Sequence, residues 1–260
     1  MSLYIESFKN KIVKEIKQLK IKKYRTEKKV FIAEGLAFVD EIPPLRKVIC
    51  YVFSKSFASK NNISFYEDKA PVYILKDEIF DSLSDTKTPQ GIMAVVEEKR
   101  YSAEKVIEKG DFFILCEEIK DPGNLGTIIR TADACGASGV FLTKGSVDLY
   151  SGKVLRSTMG SIFHLPIIQN TDMENIMSLF KAKGIFTMGA HLQGQKTPYE
   201  TDLKKPLAIL IGNETKGLSD KISSLSDSLV KIPMPGRAES LNAAVAASIL
   251  MYETLRQRRF

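Results

Sequence analysis

Three groups of polar residues in the 260-residue chain stand where their types and spacing suit chemistry. Asn124, Gly126 and Arg130 form an Asn-x-Gly-x-x-x-Arg series just after the apolar run 112–116. Glu214 follows the apolar run 207–211 through Gly212 and Asn213, which sets a carboxylate just past a strand end. Ser240 and Asn242 follow a shorter run, 229–232, and the turn Pro233-Met234-Pro235-Gly236. Short apolar runs bounded by Gly or Pro read as buried strands, and open α/β sheets hold their ligands beyond strand ends. Spacing alone leaves plainer roles open. Asn124 and Ser240 suit helix capping, Arg130 suits a solvated helix face, and Gly212 suits a turn.

The elements that must position these residues are legible from residue 110 onward. Runs 112–116, 139–142, 185–188, 207–211 and 229–232 are short and continuously apolar, and helical patterns at 125–135, 153–159 and 173–183 lie between most of them. Fully apolar strands alternating with helices predict an α/β domain, a parallel sheet with helices on both faces. A last helix is expected over about 240–258, with Arg256, Arg258 and Arg259 suiting its C-terminus. Upstream, apolar runs at 48–53, 71–75 and 91–96, with a helical stretch at 76–83, predict a small mixed α/β domain over 1–100. The charged residues 101–109 read as a linker, leaving 110–260 as the larger domain.

Composition narrows the class of protein. The chain is 44% hydrophobic and 27% charged, the balance of an ordinary globular protein. No apolar run approaches the roughly 18 residues of a membrane span, so no membrane partner is expected. No apolar signal core follows the Lys-rich start, which points to the cytoplasm. Cys50, Cys116 and Cys135 include no C-x-x-C pair and read as buried thiols in a reducing compartment. His164 and His191 have no Cys or carboxylate at ligand spacing, so no metal site is expected. A net charge of +7 favours a polyanionic partner. Ile12, Val13, Ile16 and Leu19 keep helical spacing through the lysines, as in a basic amphipathic helix that suits phosphates.

The series Asn124, Gly126, Arg130, Ala132, the sequence Gly212-Asn213-Glu214-x-x-Gly217, and Ile232-Pro233-Met234 to Ser240-Leu241-Asn242-Ala243-Ala244 resemble, in order, the three motifs of the SpoU/TrmH family of RNA ribose methyltransferases. Ala243 stands where many members have Val. Lys22-Lys23-Tyr24-Arg25, Phe31 to Gly35, and Thr88-Pro89-Gln90-Gly91-Ile92 resemble the small L30e/L7Ae-like domain that many members carry ahead of the catalytic one. The resemblance implies methyl transfer from S-adenosylmethionine to a ribose 2′-hydroxyl of structured RNA, a C-terminal trefoil knot, and a homodimer. It maps cofactor contacts to Met188, Gly189, Ala190, Gly212, Ile232, Met234, Leu241 and Asn242. It maps the polar catalytic set to Asn124, Arg130, Glu214, Ser240 and Asn242.

A 2′-hydroxyl must lose its proton as it attacks the sulfonium methyl. A guanidinium is a poor base, so Arg130 is expected to orient the ribose-phosphate and stabilise the developing alkoxide, with Glu214 and Asn124 holding Arg130 and the loops, and a phosphate oxygen, water or a perturbed Arg130 taking the proton. Ribosomal RNA of the large subunit is the expected substrate, with transfer RNA as the alternative. A binding or assembly protein that has lost turnover is a second class of reading, against which the intact polar set weighs. A dinucleotide-dependent oxidoreductase is disfavoured because the chain lacks G-x-G-x-x-G.

Overall fold

Apolar runs flanked by turn residues become two separate sheets in the computed structural model, which describes residues 2–260. The chain divides into two units. One is the chain up to Lys99 together with Tyr150–Phe163, and the other is Arg100–Leu149 with His164–Phe260.

The first unit holds strands β1 (Ser2–Ile5), β2 (Val30–Glu34), β3 (Val48–Ser54), β4 (Val72–Leu75) and β5 (Ile92–Glu97) in the order β1-β4-β3-β5-β2. The β1, β4 and β3 strands run parallel, while β5 is antiparallel to both β3 and β2. The expected amphipathic helix is real over Lys11–Gln18, with Asn10 as its cap and Val13 and Ile16 in the core. It stops sooner than the lysine-rich composition suggests. Ile21 is extended, and a second helix, Lys22–Lys28, begins beyond it. The buried Arg25 on that helix donates from Nη1 to the Leu19 carbonyl (2.6 Å), which closes the turn between the two helices.

Aromatic packing assigns residues 150–163 to this unit. Tyr150 stacks on Phe31 at 4.8 Å, and Phe163 packs against Phe38 at 5.4 Å with Arg46 over its ring. The expectation of one unbroken domain from residue 110 onward therefore needs correction, since a short helix, Gly152–Thr158, lies in the other unit. The expected linker needs one as well. Residues Ala103–Lys109 form a helix capped by Ser102, with Ile107 in the core of the second unit.

The second unit is a six-stranded, wholly parallel sheet of β6 (Phe112–Cys116), β7 (Gly139–Thr143), β8 (Ile167–Thr171), β9 (Phe186–Ala190), β10 (Leu207–Ile211) and β11 (Ser228–Val230). The order is β11-β9-β10-β6-β7-β8. Central β6 and β10 are buried at every residue, as their unbroken apolar runs require. Phe113, Leu115, Ala208 and Leu210 face helices that contribute Ile107, Ile176, Phe180 and Ile222. On the opposite face lies the last helix, Ala243–Arg259, whose Arg258 sits over the Phe112 ring. That helix packs on the helix Pro122–Ala134, where Thr131 and Ser248 share a hydroxyl hydrogen bond of 3.1 Å. The sheet is thus flanked on both faces, as its sequence pattern predicts. Among the described residues no helix is long and apolar enough to cross a membrane.

All three cysteines are free and buried. Burial pushes the thiol of Cys50 up to about 11 and that of Cys116 up to about 12, and raises that of Cys135. Since the thiolate is the reactive form, the native protein is expected to release no colour from Ellman's reagent at pH 8. Three thiols should react once the chain is unfolded in guanidinium.

Candidate active site

Because every strand of the second sheet is parallel, the loops after β6, β9, β10 and β11 leave from one edge. The loop after β10 is a tight turn in which Asn213 and Gly217 exchange backbone hydrogen bonds (3.0 and 2.9 Å). Asn213 Oδ1 accepts from the amides of Thr215 and Lys216 and closes the turn from inside. A Cβ on Gly212 would stand 2.1 Å from both Gly217 C and Leu218 N, so glycine here serves the close approach of the chain to itself. Gly212→Ala should therefore push the turn outward at about 1–3 kcal/mol. Loss of cofactor binding in calorimetry, with a lowered melting temperature, is the expected result.

The Glu214 carboxylate ties the β10 turn to the start of the helix after β6. It accepts from the amides of Lys120 (3.1 Å) and Asp121 (2.9 Å) and from Asn124 Nδ2 (3.1 Å). Desolvation is the largest single influence on this carboxyl and raises its pKa. Hydrogen bonds from the Asp121 amide, the Asn124 side chain, its own backbone and the Lys120 amide together outweigh it and hold the group below the ordinary carboxylate value. Asn124 Oδ1 in turn accepts from Asn242 Nδ2 at 2.8 Å. Asn242 Oδ1 caps the last helix by accepting from Ala244 N and Val245 N. Glu214, Asn124 and Asn242 thus form one continuous network across three segments.

Two further ties fix the loop after β6. Asn213 Nδ2 donates to the Glu118 carbonyl (2.9 Å), and Glu118 holds a left-handed φ of 50°, uncommon for a side chain of its kind. Glu117 accepts from the amide and hydroxyl of Ser219 at 2.8 and 2.7 Å.

Above this network lies a cavity of about 320 Å³, within the range of ligand sites. Ala190, Gly212, Ile232, Met234 and Leu241 of the expected cofactor set line it, as do Glu214 and Ser240 of the polar set. Met188 and Gly189 are not part of the lining. Met188 is fully buried, and Gly189 is hemmed in by Leu218 and Leu229. Two capping expectations change. Asp121, not Asn124, caps the helix Pro122–Ala134, and Asn242, not Ser240, caps the last one. Arg130 stays apart from the cavity, exposed on its helix with no hydrogen-bond or ion-pair partner among the described residues. The expected hold on it by Glu214 and Asn124 is not made, because those groups bind each other and the loop backbone.

His191, just past the end of β9, lines the cavity, as do Gln193, Lys216 and Lys231. The available signal was position, since Lys231 follows a strand and Lys216 lies between the two glycines of the β10 turn. Among the described residues, no group of three or more His, Cys, Asp or Glu could hold a metal ion.

The family model described as "SpoU rRNA Methylase family" matches residues 111–252. The chain belongs to the SpoU rRNA methylase family. The MRM3-like substrate binding domain matches residues 10–94, ahead of the SpoU region. One relative in this family is the Bacillus subtilis 23S rRNA (guanosine(2553)-2′-O)-methyltransferase RlmP, 37% identical over 95% of this chain and 97% of that one. The AdoMet-bound rRNA methyltransferase from Sinorhizobium meliloti superposes with a TM-score of 0.88 at 32% identity, covering 98% of each chain. The SpoU methyltransferase AviRb from Streptomyces viridochromogenes, in complex with AdoMet, gives a TM-score of 0.85 at 29% identity over 96% of this chain and 98% of that one.

Proposed function

We propose that this chain transfers a methyl group from S-adenosylmethionine to a ribose 2′-hydroxyl of 23S ribosomal RNA. The observation that carries this reading is likeness along nearly the whole chain to the Bacillus subtilis enzyme, joined to an intact Asn124–Glu214–Asn242 network. Full-length likeness to a protein named for 23S rRNA favours ribosomal over transfer RNA.

The cavity fits the cofactor by its chemistry. Ile232, Met234 and Leu241 offer an apolar wall for adenine, and backbone groups after β9, β10 and β11 can meet its edge. Lys216 and Lys231 on the lining suit a carboxylate. When bound, the cofactor supplies an electrophilic methyl on a sulfonium. Glu214, Asn124 and Asn242 hold the three loops in the shape that receives it, and Ser240 belongs to the same lining. Arg130, unpaired in the free chain, orients the ribose-phosphate and stabilises charge on O2′ as its proton leaves to a phosphate oxygen or water.

The knot belongs to this reading. Its support is the close passage of the chain after β11 along the loop after β9, where Lys231 N donates to Lys196 O at 2.9 Å. The protein works as a homodimer, for which Val245 and Tyr252, exposed seven residues apart on the last helix, supply an apolar face. The unit containing residues 10–94 grips the RNA, and the site of action is the cytoplasm. Tritiated S-adenosylmethionine is to be incubated with 23S rRNA and with bulk transfer RNA from a strain lacking the gene. Label in 23S rRNA is expected, and label confined to transfer RNA would overturn the substrate assignment.

A further inference from the structure

Neighbouring parallel strands need a long crossover, and an α-helix usually provides it. The chain between β9 and β10, residues 191–205, makes this crossing with no α-helix and only a short 3-10 turn at Pro198–Glu200. Loops of this length without regular structure are uncommon in compact domains. Lacking a helical ladder, the backbone N–H and C=O groups of this one must find partners elsewhere. The loop matters because His191, Leu192 and Gln193 at its start line the cofactor cavity.

The partners fall at its two ends. Near the cavity, His191 N donates to Val230 O at 3.0 Å, and Lys231 N donates to Lys196 O at 2.9 Å. Gly194 passes so close that a Cβ there would stand 2.5 Å from Val230 C. In the middle, Thr197 and Glu200 satisfy each other as a capping box.

At the far end the partners are the side chains of two successive residues of the last helix. Leu203 is fully buried, and both of its backbone groups are met in this way. Gln257 Oε1 accepts from Leu203 N (3.0 Å), and Arg258 Nε donates to Leu203 O (3.1 Å). Gln257 Nε2 also donates to the carbonyls of Pro198 (3.2 Å) and Thr201 (3.3 Å), and Arg258 Nη2 donates to that of Lys205 (2.7 Å). Both side chains are themselves braced. Gln257 Nε2 donates to Glu253 Oε1 at 2.9 Å, and Arg258 pairs with Asp111 at 3.4 Å. The same helix begins at the cavity, where Asn242 caps it and Ala243 and Ala246 belong to the lining. One element thus forms part of the cavity at its first turn and holds, at its last, the loop that forms another part.

We propose that Gln257 and Arg258 are positioning residues for S-adenosylmethionine, which shape its cavity through the loop 191–205 and are not themselves part of the lining. This rests on the reading of that cavity as the cofactor site. A loop released at its far end spends part of its time outside the binding shape, and apparent affinity falls with the fraction that remains competent. The defect therefore belongs to cofactor binding and not to the RNA or the chemical step.

The test uses the full chain. Gln257→Met keeps the length and bulk of the side chain and removes its acceptor and donors. It is expected to weaken calorimetric binding of S-adenosylmethionine about 10-fold and to raise the cofactor KM equally, with kcat at saturating cofactor and KM for 23S rRNA unchanged. Arg258→Lys, which keeps the charge and one donor group, should lose less. Amide hydrogen exchange at residues 198–203 should quicken in Gln257→Met and slow again when S-adenosylmethionine is bound, since a ligand that needs the ordered loop stabilises it. Ile176→Val, a core truncation on the other face of the sheet, is the control for lost stability, and should lower the melting temperature without weakening the cofactor. Wild-type affinity in Gln257→Met, or a loss no greater than that of Ile176→Val, would overturn the positioning role. Wild-type exchange rates at residues 198–203 in Gln257→Met would overturn the hold on the loop, whatever the cavity binds. Absence of S-adenosylmethionine binding by the wild type would instead overturn the reading of the cavity.

Discussion

Arg130→Ala is expected to lower methyl transfer by about 100- to 1,000-fold, the usual effect of removing one group that stabilises developing charge. It should do so without cost to the fold. The Arg130 side chain is exposed and makes no hydrogen bond or ion pair among the described residues, so its loss exposes no core and orphans no partner. Calorimetric affinity for S-adenosylmethionine and the melting temperature should match the wild type, and the deficit should lie in kcat rather than in cofactor binding. Arg130→Lys should recover only part of the rate, because an ammonium keeps the charge but not the planar pair of donors that spans a ribose-phosphate. Near-normal turnover in Arg130→Ala would remove this residue from the chemistry.

Glu214→Gln should act by the opposite route, through the shape of the cavity. The two carboxylate oxygens serve four donors, the amides of Lys120 and Asp121 and the side chains of Asn124 and, at 3.4 Å, Asn213. Glutamine keeps one acceptor and turns an NH2 toward donors, so the tie between the β10 turn and the loop after β6 is lost on one side. Cofactor affinity should fall by at least about 10-fold, since hydrogen bonds to a charged group are the stronger kind. Turnover measured below saturation should fall with it. The pH dependence follows from the direction of the Glu214 shift. A carboxyl held below its ordinary value of 4.5 contributes stability that is fully present above that value. The contribution is lost as pH falls through the depressed value in the folded state. The part of the cavity's stability that Glu214 supplies should thus be constant above about pH 5 and be lost at more acid pH, with cofactor affinity falling as it goes. Glu214→Gln should start weaker and lack that part of the decline, which separates it from general acid unfolding driven by other low carboxyls such as Glu253.

Central elements of the fold were open to reading because burial on both faces leaves a plain trace in sequence. The unbroken runs of β6 and β10 coincide with the strands residue for residue. The edge strand β8 escaped because the polar pair Gln169 and Asn170 interrupts the apolar run, with Asn170 exposed and at a left-handed φ of 57°. The strands β1 and β2 were hidden in a lysine-rich stretch whose helical spacing holds for only eight residues. Residues 150–163 read as part of the second domain because sequence order is silent about partners. What places them in the first unit is Phe31 under Tyr150, a contact more than a hundred positions apart.

The site followed the same rule. Residues that owe their place to a strand end, such as Gly212, Glu214 and Ile232, fall on the cavity lining, where the apolar runs point. Which asparagine caps which helix was not legible, because Asn124, Asn242 and Asp121 are all competent caps and only the packing of the last helix on its neighbour selects among them. The separation of Arg130 from the cavity likewise depends on the rotation of one helix against the sheet.

The central claim, ribose methylation of ribosomal RNA, is tested most directly by the chemical form of the product. Wild-type protein is incubated with tritiated S-adenosylmethionine and 23S rRNA from a strain lacking the gene, and the RNA is then hydrolysed in alkali. A methyl group on O2′ removes the hydroxyl that alkaline cleavage requires, so the label should be recovered in an alkali-resistant dinucleotide. Label released entirely in mononucleotides would mean methylation of a base and would contradict the account.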